Sequence, residues 1–437
     1  MNFKNFFDIY CSDADGENLY LNRFIRFFSD EAAIVEAIES AELKGFFSAP
    51  SLLNEEGVAD CKLSHYGRHN ILAFADGPEC FFVAQSHSFV YAIFLPIKEL
   101  VVTNEKRESK RKNLVKDFQE ACSAFLSTSL EEGAKYLGLV NGYGRPYHYF
   151  YDRVVNLHRY LEHGASKVLD VGGAAFLSGD SLGASEVFNV PSLSDINDHA
   201  PYLCIVPGHP LKRGRKEKKK LCGEFDKWIV EKLKRDCESA DELYVWIGLC
   251  QEKRHVAGFE EAIRKFIVEV SVRYPSVVFL FDGLTRPVEV GEESFIIEKC
   301  QDEVSLRDSI LTGLKGVKWK SMIGKEASEK IMFASKTTLF LSSALTDSMW
   351  CARFFKVPGI CWSGDRIDLV LKEHIHINTW FLNEGSGFSV TGGEYSNESF
   401  YLDADYFYRT SMAGLEFSLE APRNFVEKMD YFLRDKL

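Results

Sequence analysis

At 437 residues the chain exceeds what one hydrophobic core usually supports, so two or three domains are expected. A formal net charge of -12 argues against a nucleic-acid binder, whose footprint is net positive over a domain. With 46% apolar and 27% charged residues, the composition is that of an ordinary globular protein and excludes extended disorder.

The amino terminus lacks a basic start followed by an apolar run, and no stretch approaches the roughly 18 apolar residues of a spanning helix. A cytoplasmic protein is expected. Eleven cysteines, scattered singly without a CxxC pair, read as buried free thiols. Two clusters are basic, Lys106 to Lys116 and Lys212 to Lys220. Each reads either as a solvated face or as an attraction to an anionic lipid surface or a pyrophosphate-bearing acceptor.

In chain order, Ile34, Ala37, Ile38 and Ala41 share one face and predict a helix over Glu31 to Leu43. Asn70 to Phe74, Cys80 to Gln85 and Phe89 to Leu95 are short aromatic and β-branched runs that read as strands. Residues 1-130 are therefore expected to form a small α+β module, with a basic helical connector over Lys110 to Phe125. Segment 131-238 opens with a glycine-rich turn and a helix that points Val154, Val155, Leu157, Tyr160 and Leu161 inward. Strands at Lys167 to Val171, Val187 to Val190 and Leu203 to Val206 then lead to an amphipathic helix, Gly223 to Lys234, which is α/β grammar.

Segment 239-410 repeats that grammar. Tyr244 to Ile247 is a strand, and Phe259, Ala262, Ile263, Phe266, Ile267 and Val270 mark one helix face at the 3.6 period. Val277 to Phe281 and Val317 to Ile323 are further strands. Thr338 to Ser342, a turn, a helix from Ser348 and a strand after Pro358 make a βαβ unit. Thr346, Asp347 and Ser348 carry the side-chain oxygens that cap a helix start, which is a ready anion site. Residues 411-437 end in a helix from Pro422.

Three stretches give this second α/β set a resemblance to the donor-binding domain of GT-B glycosyltransferases. YVWIGLCQEKRH, Tyr244 to His255, resembles its first strand and basic loop. VVFLFDG, Val277 to Gly283, resembles the next strand, and Thr338 to Gly364 resembles the heptosyltransferase-like segment whose Ser/Asp-rich turn meets the diphosphate. The resemblance implies a GT-B-like α/β fold, two Rossmann-like domains facing a cleft, with the amino-terminal module added. It implies a transferase of lipopolysaccharide or capsule type that uses a nucleotide-sugar donor, a glycan or lipid-linked glycan acceptor, and neither metal nor cofactor.

On that reading Lys253 and Arg254 neutralise the diphosphate as the leaving group gains charge, or else form a solvated loop. Gly248, Asp282 and Gly283 lie at strand ends, Gly324 and Lys325 lie where such folds admit the base, and Thr346 and Ser348 offer donors. Asp347 accepts from a sugar hydroxyl or simply caps the helix. Arg286 is a further candidate. No Glu-rich motif of the retaining enzymes is present, so inversion is expected, with a general base in the amino-side domain. In GYGRPYHYFYDR, His148 is assigned as base, Asp152 as its orienting carboxylate and Arg145 as a phosphate or acceptor contact. The alternative for His148 is aromatic packing.

VLDVGG, Val168 to Gly173, is also similar to the glycine strand of class I methyltransferases, although no G-x-G follows. His374 and His376 alternate as on a strand and read as sheet histidines rather than metal ligands. A sugar-nucleotide epimerase of the same fold, a methyltransferase and a catalytically silent glycan-assembly scaffold remain alternatives to glycosyl transfer.

Overall fold

The computed structural model describes residues 2–4, 19–54, 56–86, 88–127, 135–192, 195–198, 202–209, 215–234, 242–249, 254–344, 347–362, 375–382, 388–392 and 398–436. The chain divides into two compact units, 1–218 and 219–437.

In the first unit the predicted helix, Glu31–Lys44, follows a helix at Leu19–Phe27, and its start is capped by Asp30 accepting from Ala32 N at 3.0 Å. Strands β1 (Asn2–Lys4), β2 (Ser48–Pro50), β3 (Val58–Tyr66), β4 (Asn70–Asp76), β5 (Glu79–Gln85), β6 (Ala92–Leu95) and β7 (Leu100–Thr103) form one sheet in the order β1-β7-β6-β5-β4-β3-β2. All its pairs are antiparallel except β1 with β7. Helix Glu108–Ser127 packs Leu114, Phe118, Ala121 and Phe125 against it. The strand expected from Phe89 starts only at Ala92, because Phe89 N donates instead to His209 O at 3.0 Å.

A second sheet in this unit is wholly parallel. Strands β8 (Lys135–Asn141), β9 (Lys167–Val171), β10 (Glu186–Val190) and β11 (Tyr202–Ile205) run in the order β10-β9-β8-β11. Buried polar groups of the first sheet hold β11 in place. Asn70 Nδ2 donates to Cys204 O at 2.9 Å, Val206 N donates to Gln85 Oε1 at 3.0 Å, and Cys204 N donates to Ser64 Oγ at 3.0 Å. Leaving any of these buried groups unpaired costs about 1–3 kcal/mol, so the pairing fixes both sheets together.

In the second unit, β12 (Tyr244–Gly248), β14 (Val278–Asp282), β15 (Lys318–Ser321), β16 (Thr337–Ser343), β17 (Gly359–Trp362) and β18 (Thr379–Phe381) form a parallel sheet in the order β15-β14-β12-β16-β17-β18. Counted from its own first strand this is 3-2-1-4-5-6, the order of dinucleotide-binding doubly wound folds. Helix Phe259–Arg273 buries the six residues of the predicted stripe, each large side chain contributing about 1.5–3 kcal/mol. A small sheet pairs β13 (Arg254–Ala257) with β20 (Glu398–Leu402) and β20 with β19 (Phe388–Gly392). The helix expected from Pro422 is preceded by another, Ala404–Glu420; Pro422 separates it from Phe425–Lys436, consistent with its missing N–H.

All described cysteines are free, with Cys61, Cys204, Cys222, Cys300, Cys351 and Cys361 buried. Among the described residues no helix is long and apolar enough to cross a membrane. Of the basic clusters, Lys212 and Arg213 lie outside the described residues. Several other members face carboxylates: Arg107 meets Glu105, Lys112 meets Glu108, Lys116 meets Glu120 and Lys220 meets Glu224. These pairs dilute the field such clusters present to a membrane.

The helix expected from Ser348 is a six-residue π-helix, Trp350–Phe355. It carries Arg353, fully buried, whose Nε donates to Asp226 at 2.9 Å and whose Nη2 lies 2.8 Å from the same carboxylate. Asp226→Ala leaves that guanidinium buried without its partner and is expected to cost about 3–5 kcal/mol in urea unfolding. A loss below about 1 kcal/mol, the scale of a surface pair, would contradict the burial.

Ile375 to Asn378 is a turn rather than a strand, and His374 lies outside the described residues. His376 Nδ1 is 3.2 Å from Thr379 Oγ1, and burial, reinforced by the Lys356 ammonium, pushes its pKa down from 6.5 to about 4. Because the unfolded chain takes up this proton first, the contribution is complete above pH about 6.5 and lost as pH falls towards about 4. His376→Phe is expected to flatten the acid side of the stability curve, measured as urea midpoints at about pH 7 and about pH 4.5. An unchanged slope would assign that titration elsewhere.

Candidate functional sites at two strand-order reversals

In an open parallel sheet the chain leaves the first strand on one side and returns on the other, so the loops after two adjacent strands part and open a crevice at their carboxyl ends. Each unit contains one such reversal.

In the first unit it lies between β8 and β11. Gly142 begins the loop after β8 because a side chain there would meet Val171 at 2.9 Å, and Tyr143 N donates to Ala174 O at 2.9 Å. Beneath it, Asn141 Nδ2 donates to Asp170 Oδ1 at 2.7 Å, the Tyr149 hydroxyl Oη donates to Asn141 Oδ1 at 2.8 Å, and Gly179 N donates to Asp170 Oδ2 at 2.9 Å. This buried network anchors the helical run that starts at Pro146. Residues Tyr149–Arg153 of that run form a π-helix, a distortion frequent at functional sites.

His148 and Asp152 meet there, with Nδ1 3.0 Å from Oδ2. The histidine side chain is 39% exposed and the carboxylate 12%. When Nδ1–H donates to Asp152, the carboxylate fixes ring and tautomer and makes Nε2 the basic nitrogen, the arrangement a general base requires. The other oxygen of Asp152 pairs with Lys218. Arg145, at the mouth of the same loop, is exposed.

Sequence reasoning passed over Arg153, Tyr143 and Tyr66, and placed Lys218 only in a basic cluster. Arg153 is 3% exposed, donates through Nη1 to Pro207 O at 3.4 Å, and stands with its Cζ 5.8 Å from the Tyr143 ring centre. Burial pushes its pKa down, and Tyr66, Tyr143 and Asp152 act on its charge. Its signal was readable: Arg153 precedes the inward Leu157 and Tyr160 by four and seven residues, so a guanidinium sits on the buried stripe.

In the second unit the reversal lies between β12 and β16. Gly248 is required by packing, since a side chain there would lie 2.6 Å from Ser342 Cβ. Asp347 accepts from Ser343 Oγ at 2.6 Å, and the buried Ser348 accepts through its carbonyl from Ala352 N at 2.8 Å. The π-helix that follows is too short to supply the expected dipole of an α-helix start. Lys253 and Thr346 lie outside the described residues. Arg254 begins β13, paired with β20 in the small sheet.

Asp282, expected at the donor site, is 1% exposed and faces Lys330 Nζ at 2.5 Å. Lys330 also donates to Gly283 O at 2.8 Å and Leu284 O at 3.2 Å. Burial pushes the Asp282 carboxyl up to about 6, with Lys330 opposing the shift. The Asp282 carboxylate is thus met by a buried cation in the interior, and a side chain at Gly283 would lie 3.0 Å from Glu303 Cγ. Gly324 adopts φ 70°. Lys325 pairs with Glu292 at 3.0 Å and Arg286 with Glu326 at 2.9 Å, so carboxylates already hold both cations.

The methyltransferase-like glycines also have a packing cause: a side chain at Gly172 would lie 2.7 Å from Pro191 O, and Asp170 is engaged by Asn141 and Gly179. Among the described residues no group of three His, Cys, Asp or Glu side chains is placed to hold a metal ion.

No family model and no curated protein matches the sequence. Among solved structures the chain is similar to S. aureus MnaA with UDP, at 11% identity and TM-score 0.28 over 63% of this chain and 73% of that one. It is similar to the UDP-GlcNAc 2-epimerase of Methanocaldococcus jannaschii, at 13% identity and TM-score 0.27 over 67% and 83%. A third is a point mutant of S. aureus TarM with Fondaparinux, alpha-GlcNAc-glycerol and UDP, at 10% identity and TM-score 0.21 over 98% and 84%. Scores this low leave the fold assignment resting on the strand orders themselves.

Proposed function

We propose that the protein is a nucleotide-sugar-dependent glycosyltransferase of GT-B type, inverting and independent of metal, acting on a glycan or lipid-linked glycan. The observation that carries this reading is the 3-2-1-4-5-6 parallel sheet, an order associated with nucleotide binding at its reversal. In this reading Gly248, Asp347 and Ser348 border the donor's diphosphate, with Lys253, Arg254 and Thr346 as its sequence-derived members. His148 takes the proton of the acceptor hydroxyl, and Asp152 stabilises the imidazolium that results. The proton passes from the hydroxyl oxygen to Nε2 as that oxygen bonds to the sugar carbon and the nucleoside diphosphate departs with the electron pair.

A nucleoside diphosphate that binds the folded chain raises its stability by about 2.7 kcal/mol at a hundredfold excess over Kd, so UDP and its relatives are expected to raise the melting temperature. Stabilisation by S-adenosylmethionine and by no nucleotide would refute the reading. His148→Gln is expected to lower turnover by about 10²- to 10⁴-fold while the donor Kd holds. Unchanged turnover would remove His148 from the reaction. Interconversion of the donor without acceptor would identify an epimerase instead.

A further inference from the structure

We propose that the first unit holds a phosphate site at its strand-order reversal, built on Arg153 with Tyr143, Tyr66 and Lys218 around it. The inference deepens the glycosyltransferase reading and rests on it in one respect: the phosphate is one carried by the acceptor.

Arg153 is the unusual group. Its side chain is buried, its Nε has no hydrogen-bond partner among the described residues, and its Nη1 reaches only a carbonyl at 3.4 Å. No carboxylate forms an ion pair with it among the described residues, in contrast to the buried Arg353, which Asp226 meets with both oxygens. A guanidinium taken out of water calls for an anion, and its planar fork suits phosphate oxygens. The nearby Asp152 already receives Lys218 and His148.

The position fits a ligand. Pro207 O lies just beyond β11 and Tyr143 just beyond β8, so the guanidinium stands between the two parting loops. Arg145 and Arg153 both act electrostatically on Tyr143. Among the described residues three cations, Arg145, Arg153 and Lys218, thus stand with the one carboxylate of Asp152, an excess that matches the charge of a phosphomonoester near neutrality better than that of a carboxylate.

The test uses the full chain at constant ionic strength. Inorganic phosphate, added with saturating UDP, is expected to raise the melting temperature saturably, with acetate giving no such rise. Arg153→Gln should weaken phosphate roughly ten- to hundredfold, and Arg153→Lys should restore part of the loss. Lys218→Met, at a half-exposed position, should weaken it several-fold, which keeps the test open if Arg153→Gln fails to fold. A retained UDP response reports that a variant is folded. No saturable phosphate response in the wild type, or equal responses in all variants, would overturn the site. A phosphate response without any UDP response would leave the site standing and remove the glycosyltransferase reading. Binding to phosphatidic acid vesicles that inorganic phosphate displaces would name a lipid as the source of the phosphate; displacement by glucose 1-phosphate alone would name a soluble one.

Discussion

Parallel strand pairing with the first strand in the interior is the constraint on which both candidate sites depend. A strand so placed must send its crossover to one side of the sheet while its other neighbour belongs to a later crossover. The loops beyond β8 and β11, and those beyond β12 and β16, therefore part for reasons of topology. Backbone hydrogen bonding sets this geometry before any side chain is chosen.

What fills the two reversals differs. In the second unit the polar groups largely satisfy one another: Lys330 takes Asp282, Ser343 takes Asp347, and Lys325 takes Glu292. Such pairing stiffens strand ends and limits ligand contacts to backbone groups and loop side chains. In the first unit a buried cation retains an unmatched nitrogen beside a histidine held by a carboxylate. On the proposed reading the proton transfer belongs there, at the His148 ring that stands 3.0 Å from Asp152.

The seven-stranded sheet acquires a role from the same contacts. Ser64, Asn70 and Gln85 hold the backbone of β11 and Val206, directly before the Pro207 that meets Arg153. The helix Glu31–Lys44 adds Glu42, which accepts from Ser166 N at 2.8 Å and Lys167 N at 3.0 Å at the start of β9. Ser64, Asn70, Gln85 and Glu42 thus brace the strands that flank the first reversal.

The sequence by itself determined the local elements. The 3.6-residue stripe from Phe259 to Val270, the apolar runs of β9, β11, β12, β14, β16 and β17 and the free cysteines follow from side-chain period and composition, and the four-residue spacing of His148 and Asp152 suggested their contact, whereas β8 occupies part of what reads as a glycine-rich turn. Only the tertiary structure decided which distant group stands opposite each polar residue. Arg353 and Asp226 are 127 positions apart, and nothing in either neighbourhood announces the other. Asp282 was assigned to a ligand because it ends a strand, yet Lys330, delivered by a later helix, turns it inward. The physical reason is that periodicity fixes which face is buried, whereas desolvation and charge pairing belong to the assembled surroundings and exist only once the strands are in order.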